Sequence, residues 1–330
     1  MTTNAISLSV TKDSFATRGV FTIARGSRTQ ADVLTVRLSC GEMVGQGECV
    51  PYARYGESMD SVSQQIMKMQ PALAAGLERE SLQTLMPAGA GRNALDCAMW
   101  DLEAKTQGKP VWELAGLKAP GPVTTAFTLS LDTPENMQAA AQANALRPLL
   151  KVKLGGENDI ARLEAVRRGA PESRLIVDAN EGWTADDYDA LAPVMVSLGV
   201  ALVEQPLPAN DDQPLAGRER PLPICADEAC HDRLSLDTLA DKYDVINIKL
   251  DKTGGLTEAL ALRTAALDAG FQVMVGCMVG SSLAMAPALL VAQDADYVDL
   301  DGPLLLSEDR PTPMRYDGSL LQPAPRTLWG

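Results

Sequence analysis

Charged residues end short apolar runs at a nearly constant interval through the middle of this chain. LLKVKLGG carries Lys151 and Lys153, LIVDAN carries Asp178, ALVEQP carries Glu204, PICADE carries Asp227 and VINIKLDK carries Lys249. Steps of 25, 26, 23 and 22 residues separate Lys153, Asp178, Glu204, Asp227 and Lys249. Each step is the length of one strand, one helix and two turns. Units of this kind build a parallel sheet, and a sheet that closes into a barrel brings all six residues to one mouth.

The rest of the chain fits that plan. After Pro122, apolar runs alternate with Ala-rich helical stretches, which predicts strands near 123–129, 149–154, 174–178, 200–204, 222–227, 244–250, 271–276 and 297–301. Eight strands make a (β/α)8, TIM-like barrel, so the fold class read here is α/β. Before it lies an α+β capping domain over residues 1–121. ADVLTVRLSCG and MVGQGECV read as strands, and 59–77 and 81–85 as helical. RNALDCAMWDLEAK is an amphipathic helix with Leu95, Met99 and Leu102 on one face, stopped by Gly108 and Pro110. FTIARGSRTQ and PYARYGES read as loops. The barrel domain runs over 122–302, and the Pro-rich tail, 303–330, is expected to pack back on the capping domain and complete it.

Composition narrows the function. The 330 residues are 46% hydrophobic and 22% charged, an ordinary globular mix, and the net charge of -14 argues against nucleic acid and against an anionic membrane surface. No apolar run approaches the ~20 residues of a membrane span, and the N-terminus lacks a basic start followed by an apolar core. A cytoplasmic protein is the expectation. The six cysteines form no CxxC pair and read as buried apolar residues. The one histidine, His231, follows a strand end and reads as a surface or capping residue.

Asp178, Glu204 and Asp227 each end an apolar run at the face where barrel enzymes keep their chemistry. Singly, each could be a helix N-cap. Three on consecutive units, with no adjacent Lys or Arg, favour a site for a hard divalent cation such as Mg2+. Lys151 and Lys153 are two apart and point the same way on a strand. Lys249 ends a strand on the opposite side of the barrel order, whereas Lys252 reads as a loop residue. A lysine acts as a base when neutral, and burial with nearby positive charge favours that form. Two such bases on opposite sides of one carbon, with a cation holding the developing negative charge, could remove and return a proton α to a carboxylate.

Together these residues resemble the enolase superfamily, in its muconate-lactonising subgroup. The resemblance runs from about residue 20 to about residue 302 and rests on KVK, DAN, EQP, ADE, IKLDKTGG and RNALDCAMWDLEAK. It implies one Mg2+ per subunit on Asp178, Glu204 and Asp227, Lys153 and Lys249 as the acid–base pair, and an enediolate between them. It also implies that Lys151 assists in binding the substrate carboxylate, and it allows a homo-oligomer. Asn180 and Glu228 follow metal ligands and would support them. Thr128, Gly276 and Cys277 end strands one and seven. Gly276 would let the backbone approach substrate, and nothing offers Cys277 a base.

Asp299 and Asp301, two apart in YVDLDGP, would both face the site and hold an ammonium group. This DxD resembles that of dipeptide epimerases, and ARGSR with CVPYARYGES resembles the alanyl-glutamate type, in which an arginine would pair with the glutamate side chain. Arg25 and Arg28 are both candidates, and sequence does not separate them. The resemblance implies a dipeptide as the small-molecule partner, 1,1-proton transfer at the α-carbon of its C-terminal residue, and a role with peptidoglycan (murein) peptides. The alternatives are o-succinylbenzoate synthase, N-acylamino acid racemase or muconate cycloisomerase on the same barrel, and a non-catalytic dipeptide-binding protein.

Overall fold

The computed structural model of the chain describes residues 5–330. Three antiparallel strands open it: β1 (Ser7–Ile23), β2 (Gly26–Cys40) and β3 (Met43–Cys49). Helices α1 (Met59–Met67), α2 (Gln70–Ala74), α3 (Arg79–Leu85) and α4 (Ala90–Gln107) follow. Leu34, Val36 and Leu38 of β2 pack with Ala94, Leu95 and Met99 of α4 in one apolar cluster. Helix α4 lies so close to β3 that a Cβ at Gly45 or Gly47 would run into the carbonyl oxygens of Ala98 and Ala94. The two glycines of MVGQG therefore serve helix–sheet contact.

FTIARGSRTQ is not a loop but the tip of the β1–β2 hairpin, with Ile23 paired to Gly26, Arg25 in the turn and Arg28 already on β2. Strand β1 shows no clean alternation because much of it faces solvent on both sides; its pairing to β2 defines it. The stretch 59–77 is two helices, because Pro71 in the first turn of α2 lacks the N–H a continuous helix would need.

After α5 (Val111–Leu114) and β4 (Val123–Thr124), the chain forms β5 (Phe127–Leu129), α6 (Pro134–Ala143), β6 (Leu149–Lys153), α7 (Asp159–Gly169), β7 (Arg174–Asp178), α8 (Ala185–Ser197), β8 (Val200–Glu204) and β9 (Ile224–Ala226). Then come β10 (Val245–Ile248), α9 (Leu250–Thr253), α10 (Leu256–Asp268), β11 (Gln272–Gly276), α11 (Ser282–Val291) and β12 (Tyr297–Asp299). Strands β5 to β12 form one sheet in sequence order, every pairing parallel. The Ala126 N–H donates to Val298 O at 2.8 Å and joins the two edges, giving a nearly closed barrel.

The connections after β8 and β9 lack the expected α-helices and carry only short 3-10 turns, Gln213–Leu215 and Arg233–Thr238. Five prolines between Pro206 and Pro223 explain the first case. The first expected strand is also divided. Val123 and Thr124 leave the barrel to pair with β14 (Leu320–Leu321), which pairs in turn with β13 (Tyr316–Asp317). Beyond β14, Trp329 Nε1 donates to Cys97 O at 3.0 Å and Gly330 N to Asp101 Oδ1 at 2.8 Å, both on α4.

The barrel interior is layered. Ala126, Leu149, Ile176, Leu202, Cys225, Val245, Met274 and Tyr297, one in or beside each strand, form a buried apolar cluster. Side chains two residues later share the same face. Those residues are Thr128, Lys151, Asp178, Glu204, Asp227, Asn247, Gly276 and Asp299. The apolar layer is a floor, and the polar layer above it is the site.

Candidate active site

Asp178 and Glu204 sit level on neighbouring strands, and Asp227 follows β9 beside them. All three are buried, and one oxygen of each lies within 4.8 Å of the others. Asp178 Oδ1 accepts from the Asn180 N–H at 2.9 Å, and Glu204 Oε1 accepts from Asn247 Nδ2 at 2.7 Å. Their other oxygens turn inward. Lys153 donates to Asp178 Oδ2 at 2.6 Å and Lys249 to Asp227 Oδ2 at 2.6 Å. Lys151 Nζ lies 2.7 Å from Glu204 Oε2, yet that oxygen has no partner in hydrogen-bond geometry. An all-oxygen, anionic donor set with a buried, unsatisfied oxygen fits a hard divalent cation such as Mg2+.

Electrostatics divide these groups. Burial pushes the Glu204 carboxyl up to about 7, with neighbouring Asp178 adding to the rise. Burial also opposes ionisation of Asp178 and Asp227, but the ammoniums of Lys153 and Lys151 hold Asp178 low, and those of Lys249 and Lys252 hold Asp227 low. Burial pulls Lys151 and Lys249 down. The carboxylates around them, Asp299 for the first and Asp227 for the second, more than reverse it and leave both well above the ordinary lysine range.

Lys153 on β6 and the Lys249 that follows β10 stand four strands apart in an eight-stranded barrel, on opposite sides of the mouth. Asp299 Oδ2 accepts from Lys151 at 2.8 Å, and Asp301 Oδ2 accepts from the Thr128 N–H at 2.6 Å. Asp299 Oδ1 is buried without a partner. Burial, then repulsion from Asp299, lifts the Asp301 carboxyl to about 7. Cys277 borders the cleft, and burial pushes its thiol well up, which keeps it protonated. Gly276 also makes room for its neighbours on the next strand. A Cβ there would lie 2.7 Å from Asn247 Oδ1 and 3.1 Å from Lys249 Cε.

The capping strands supply the other wall. Arg25 is engaged through both terminal nitrogens: it donates to Asn180 O at 2.7 Å, Glu228 Oε1 at 2.6 Å and Tyr52 Oη at 3.1 Å, and it pairs with Glu181 at 3.2 Å. Arg54 grips Glu181 with two bonds, 2.8 and 2.7 Å. Arg28 borders the same cleft, 5.9 Å over the Tyr52 ring, and among the described residues it has no carboxylate partner. Asn180 Oδ1 and Glu228 Oε2 are buried without partners. His231 is half-buried, its ring 4.9 Å edge-on from Tyr55 and its Nε2 3.1 Å from Glu228 O.

Sequence reasoning passed over Asn247, Tyr52 and Glu181. Asn247 had a signal, being two residues before Lys249 on one strand. Glu181 had none, because its partners Arg25 and Arg54 come from another part of the chain.

Residues 5–116 match the N-terminal domain of mandelate racemase / muconate lactonizing enzyme, and residues 135–308 match the enolase C-terminal domain-like family. The chain is 50% identical over 291 residues to L-Ala-D/L-Glu epimerase of Escherichia coli K12, covering 88% of this chain and 91% of that one. It is 47% identical over 300 residues to N-acetyl-D-glutamate racemase of Pseudoalteromonas sp, covering 90% and 95%. An enolase family member from Agrobacterium tumefaciens, solved with sodium and L-Ala-L-Glu, superposes with a TM-score of 0.97 at 53% identity, over 98% of this chain and 100% of that one. The Enterococcus faecalis V583 dipeptide epimerase, solved with Mg and L-Leu-L-Tyr, gives 0.88 at 28% identity, over 98% of each chain. The domain matches at both ends of the chain and the shared barrel place it together: this protein belongs to the mandelate racemase / muconate lactonizing enzyme family of the enolase superfamily.

Proposed function

We propose that this protein is a Mg2+-dependent dipeptide epimerase of the L-Ala-D/L-Glu type. One observation carries the reading. A single cleft is lined by Lys153 and Lys249 from opposite sides of the barrel and by the carboxylate pair Asp299 and Asp301, and it reaches Asp227, one of three carboxylates that converge beneath it.

Asp178, Glu204 and Asp227 would hold the Mg2+, which supplies positive charge to the substrate carboxylate as that group takes up negative charge. Lys151 lies beside the triad and adds a second positive charge there. Asp299 and Asp301 receive the dipeptide ammonium. Arg25 is bound within the protein, so Arg28 is the arginine left to pair with the glutamate side chain. Lys153 and Lys249 then face the α-carbon of the C-terminal residue from opposite sides. One removes the proton and the other returns one to the opposite face, which inverts the centre. Handling of murein-derived dipeptides, a cytoplasmic placement and a homo-oligomer belong to the same reading. No helix among the described residues is long and apolar enough to cross a membrane.

N-acylglutamate racemisation is the second reading, favoured by the Pseudoalteromonas relative. It uses the same lysines and triad but leaves Asp299 and Asp301 without an ammonium. Proton NMR in D2O with Mg2+ separates the two. Loss of the Glu α-proton from L-Ala-L-Glu, with new diastereomer peaks that vanish with EDTA, is expected. Exchange of N-acetyl-glutamate with an inert dipeptide would replace the first reading by the second.

A further inference from the structure

IKLDKTGG and RNALD have so far only marked resemblance, and the structure interlocks them. Lys249 precedes the four-residue helix α9, which carries Lys252. Lys252 is no loop residue. Its side chain is wholly buried, and its ammonium meets Asp227 O at 2.5 Å, Asp227 Oδ1 at 2.7 Å and Asn247 O at 3.0 Å. From α4 of the capping domain, Arg92 reaches under this turn and donates to Thr253 O at 2.7 Å and Gly254 O at 3.1 Å. Gly254 and Gly255 are left-handed, at φ 78° and 113°. A Cβ on Gly254 would meet the Arg92 guanidinium, and one on Gly255 would meet Asp96 at 2.5 Å. The double glycine lets the capping helix seat directly on the turn that aims Lys252.

A pattern follows across the three carboxylates. Each has one oxygen tied from behind: Asp178 by the Asn180 N–H, Glu204 by Asn247 Nδ2 and Asp227 by Lys252 Nζ. The remaining oxygens face the common centre. Asp227 alone is tied from behind by a charge. Like Asp178, which holds Lys153, it also holds a proposed base, Lys249, on its inward oxygen.

We propose that Lys252 is the positioning residue for Asp227. It fixes which carboxylate oxygen faces inward and keeps the buried carboxylate compensated when Lys249 turns toward substrate. Without Lys252, Asp227 has Lys249 as its only buried cationic hydrogen-bond partner, and the same carboxylate has to serve metal and base at once. This rests on the epimerase reading for the role of Lys249, but its metal arm does not.

The test compares wild type with Lys252→Met and Lys252→Arg. Mg2+ binding is measured by calorimetry and by the rise in melting temperature on adding MgCl2. Loss of a partner behind a metal ligand typically weakens metal binding ~10–100-fold. Lys252→Met is expected in that range, with a smaller Mg2+-induced rise in melting temperature. Deuterium exchange into L-Ala-L-Glu and L-Ala-D-Glu should fall unequally, because Lys249 serves one face only. A residue that merely filled space would lower the melting temperature of apo and Mg2+-loaded protein alike and slow both epimers equally. That result, or wild-type Mg2+ affinity in Lys252→Met, overturns the proposal. Should Lys252→Met not fold, Lys252→Arg carries the test: its planar fork keeps the charge but cannot place one donor among the three oxygens. Full Mg2+ affinity and an unchanged epimer ratio in that variant also overturn it. Wild type that binds Mg2+ but exchanges neither dipeptide defeats the epimerase reading, and the Mg2+ affinities of the variants then decide the role of Lys252 on their own.

Discussion

Gly276→Ala is the sharpest probe of the layered barrel, because it adds one carbon and no charge. Gly276 does not lie in the left-handed region, so alanine is allowed by the backbone and the effect is one of space. The new Cβ would stand 2.7 Å from Asn247 Oδ1, 2.8 Å from Asn247 Nδ2 and 3.1 Å from Lys249 Cε. Asn247 is fully buried and ties Glu204 Oε1 at 2.7 Å, so it cannot move without loosening that bond. A hydrogen bond to a charged group is worth about 1.5–3 kcal/mol, and overpacking by a carbon costs about 1–3 kcal/mol. Relief of one comes at the expense of the other, so a stability loss of about 1–3 kcal/mol is expected. Activity should suffer more. A displacement of ~1 Å at a reacting group costs ~100-fold, or about 2.7 kcal/mol of barrier. Steady-state kcat/KM on L-Ala-L-Glu at saturating Mg2+, read beside thermal unfolding, checks both figures. Melting unchanged and kcat/KM within about threefold of wild type would mean that Asn247 and Lys249 do not share that space, and the geometry claimed for this side of the site would be wrong.

Arg28→Met should reduce kcat/KM for dipeptides ending in Glu by ~10–100-fold, the worth of a charge-assisted bond, and leave those ending in apolar residues nearly unchanged; a uniform loss across both classes would refute the pairing. Asp299→Asn and Asp301→Asn should each raise KM for dipeptides with a free amino end. If activity on the preferred substrate survives both changes, that substrate carries no ammonium and the N-acyl reading gains. Burial pushes the Asp251 carboxyl up to about 7, so the folded state holds a proton that the unfolded chain releases near pH 4. Stability from this group is therefore present at low pH and is lost as pH rises from about 4 to about 7, by at most ~1.4 kcal/mol per pH unit. Asp251→Asn should flatten that decline, gaining on wild type between pH 5 and pH 8 in thermal unfolding, and a parallel pH profile would contradict it.

Much of the centre of this site was legible before any fold was known, and the reason lies in two periods. A strand turns successive side chains to opposite faces, so Lys151 and Lys153 had to share one. A strand–helix unit returns to the same end of the barrel after its fixed length, so Asp178, Glu204 and Asp227 had to meet. The same period-two rule, counted back from Lys249, would have found Asn247. Both rules are local, and a chain states local rules in its own order of residues.

Tertiary structure decided what depends on contacts between distant segments. Arg25 and Arg28 are three apart and chemically alike. They differ because the β1–β2 hairpin lays Arg25 against Glu228 and Asn180, some two hundred and one hundred and fifty-five residues away, and leaves Arg28 over Tyr52. Lys252 reads as a loop residue in the sequence, and Arg92 of the capping domain grips the turn that buries it. Strand β4 broke from the barrel because the tail, almost two hundred residues later, offered it a partner. Burial of an ionic group depends on what covers it from outside its own segment, and no spacing within a segment carries that information.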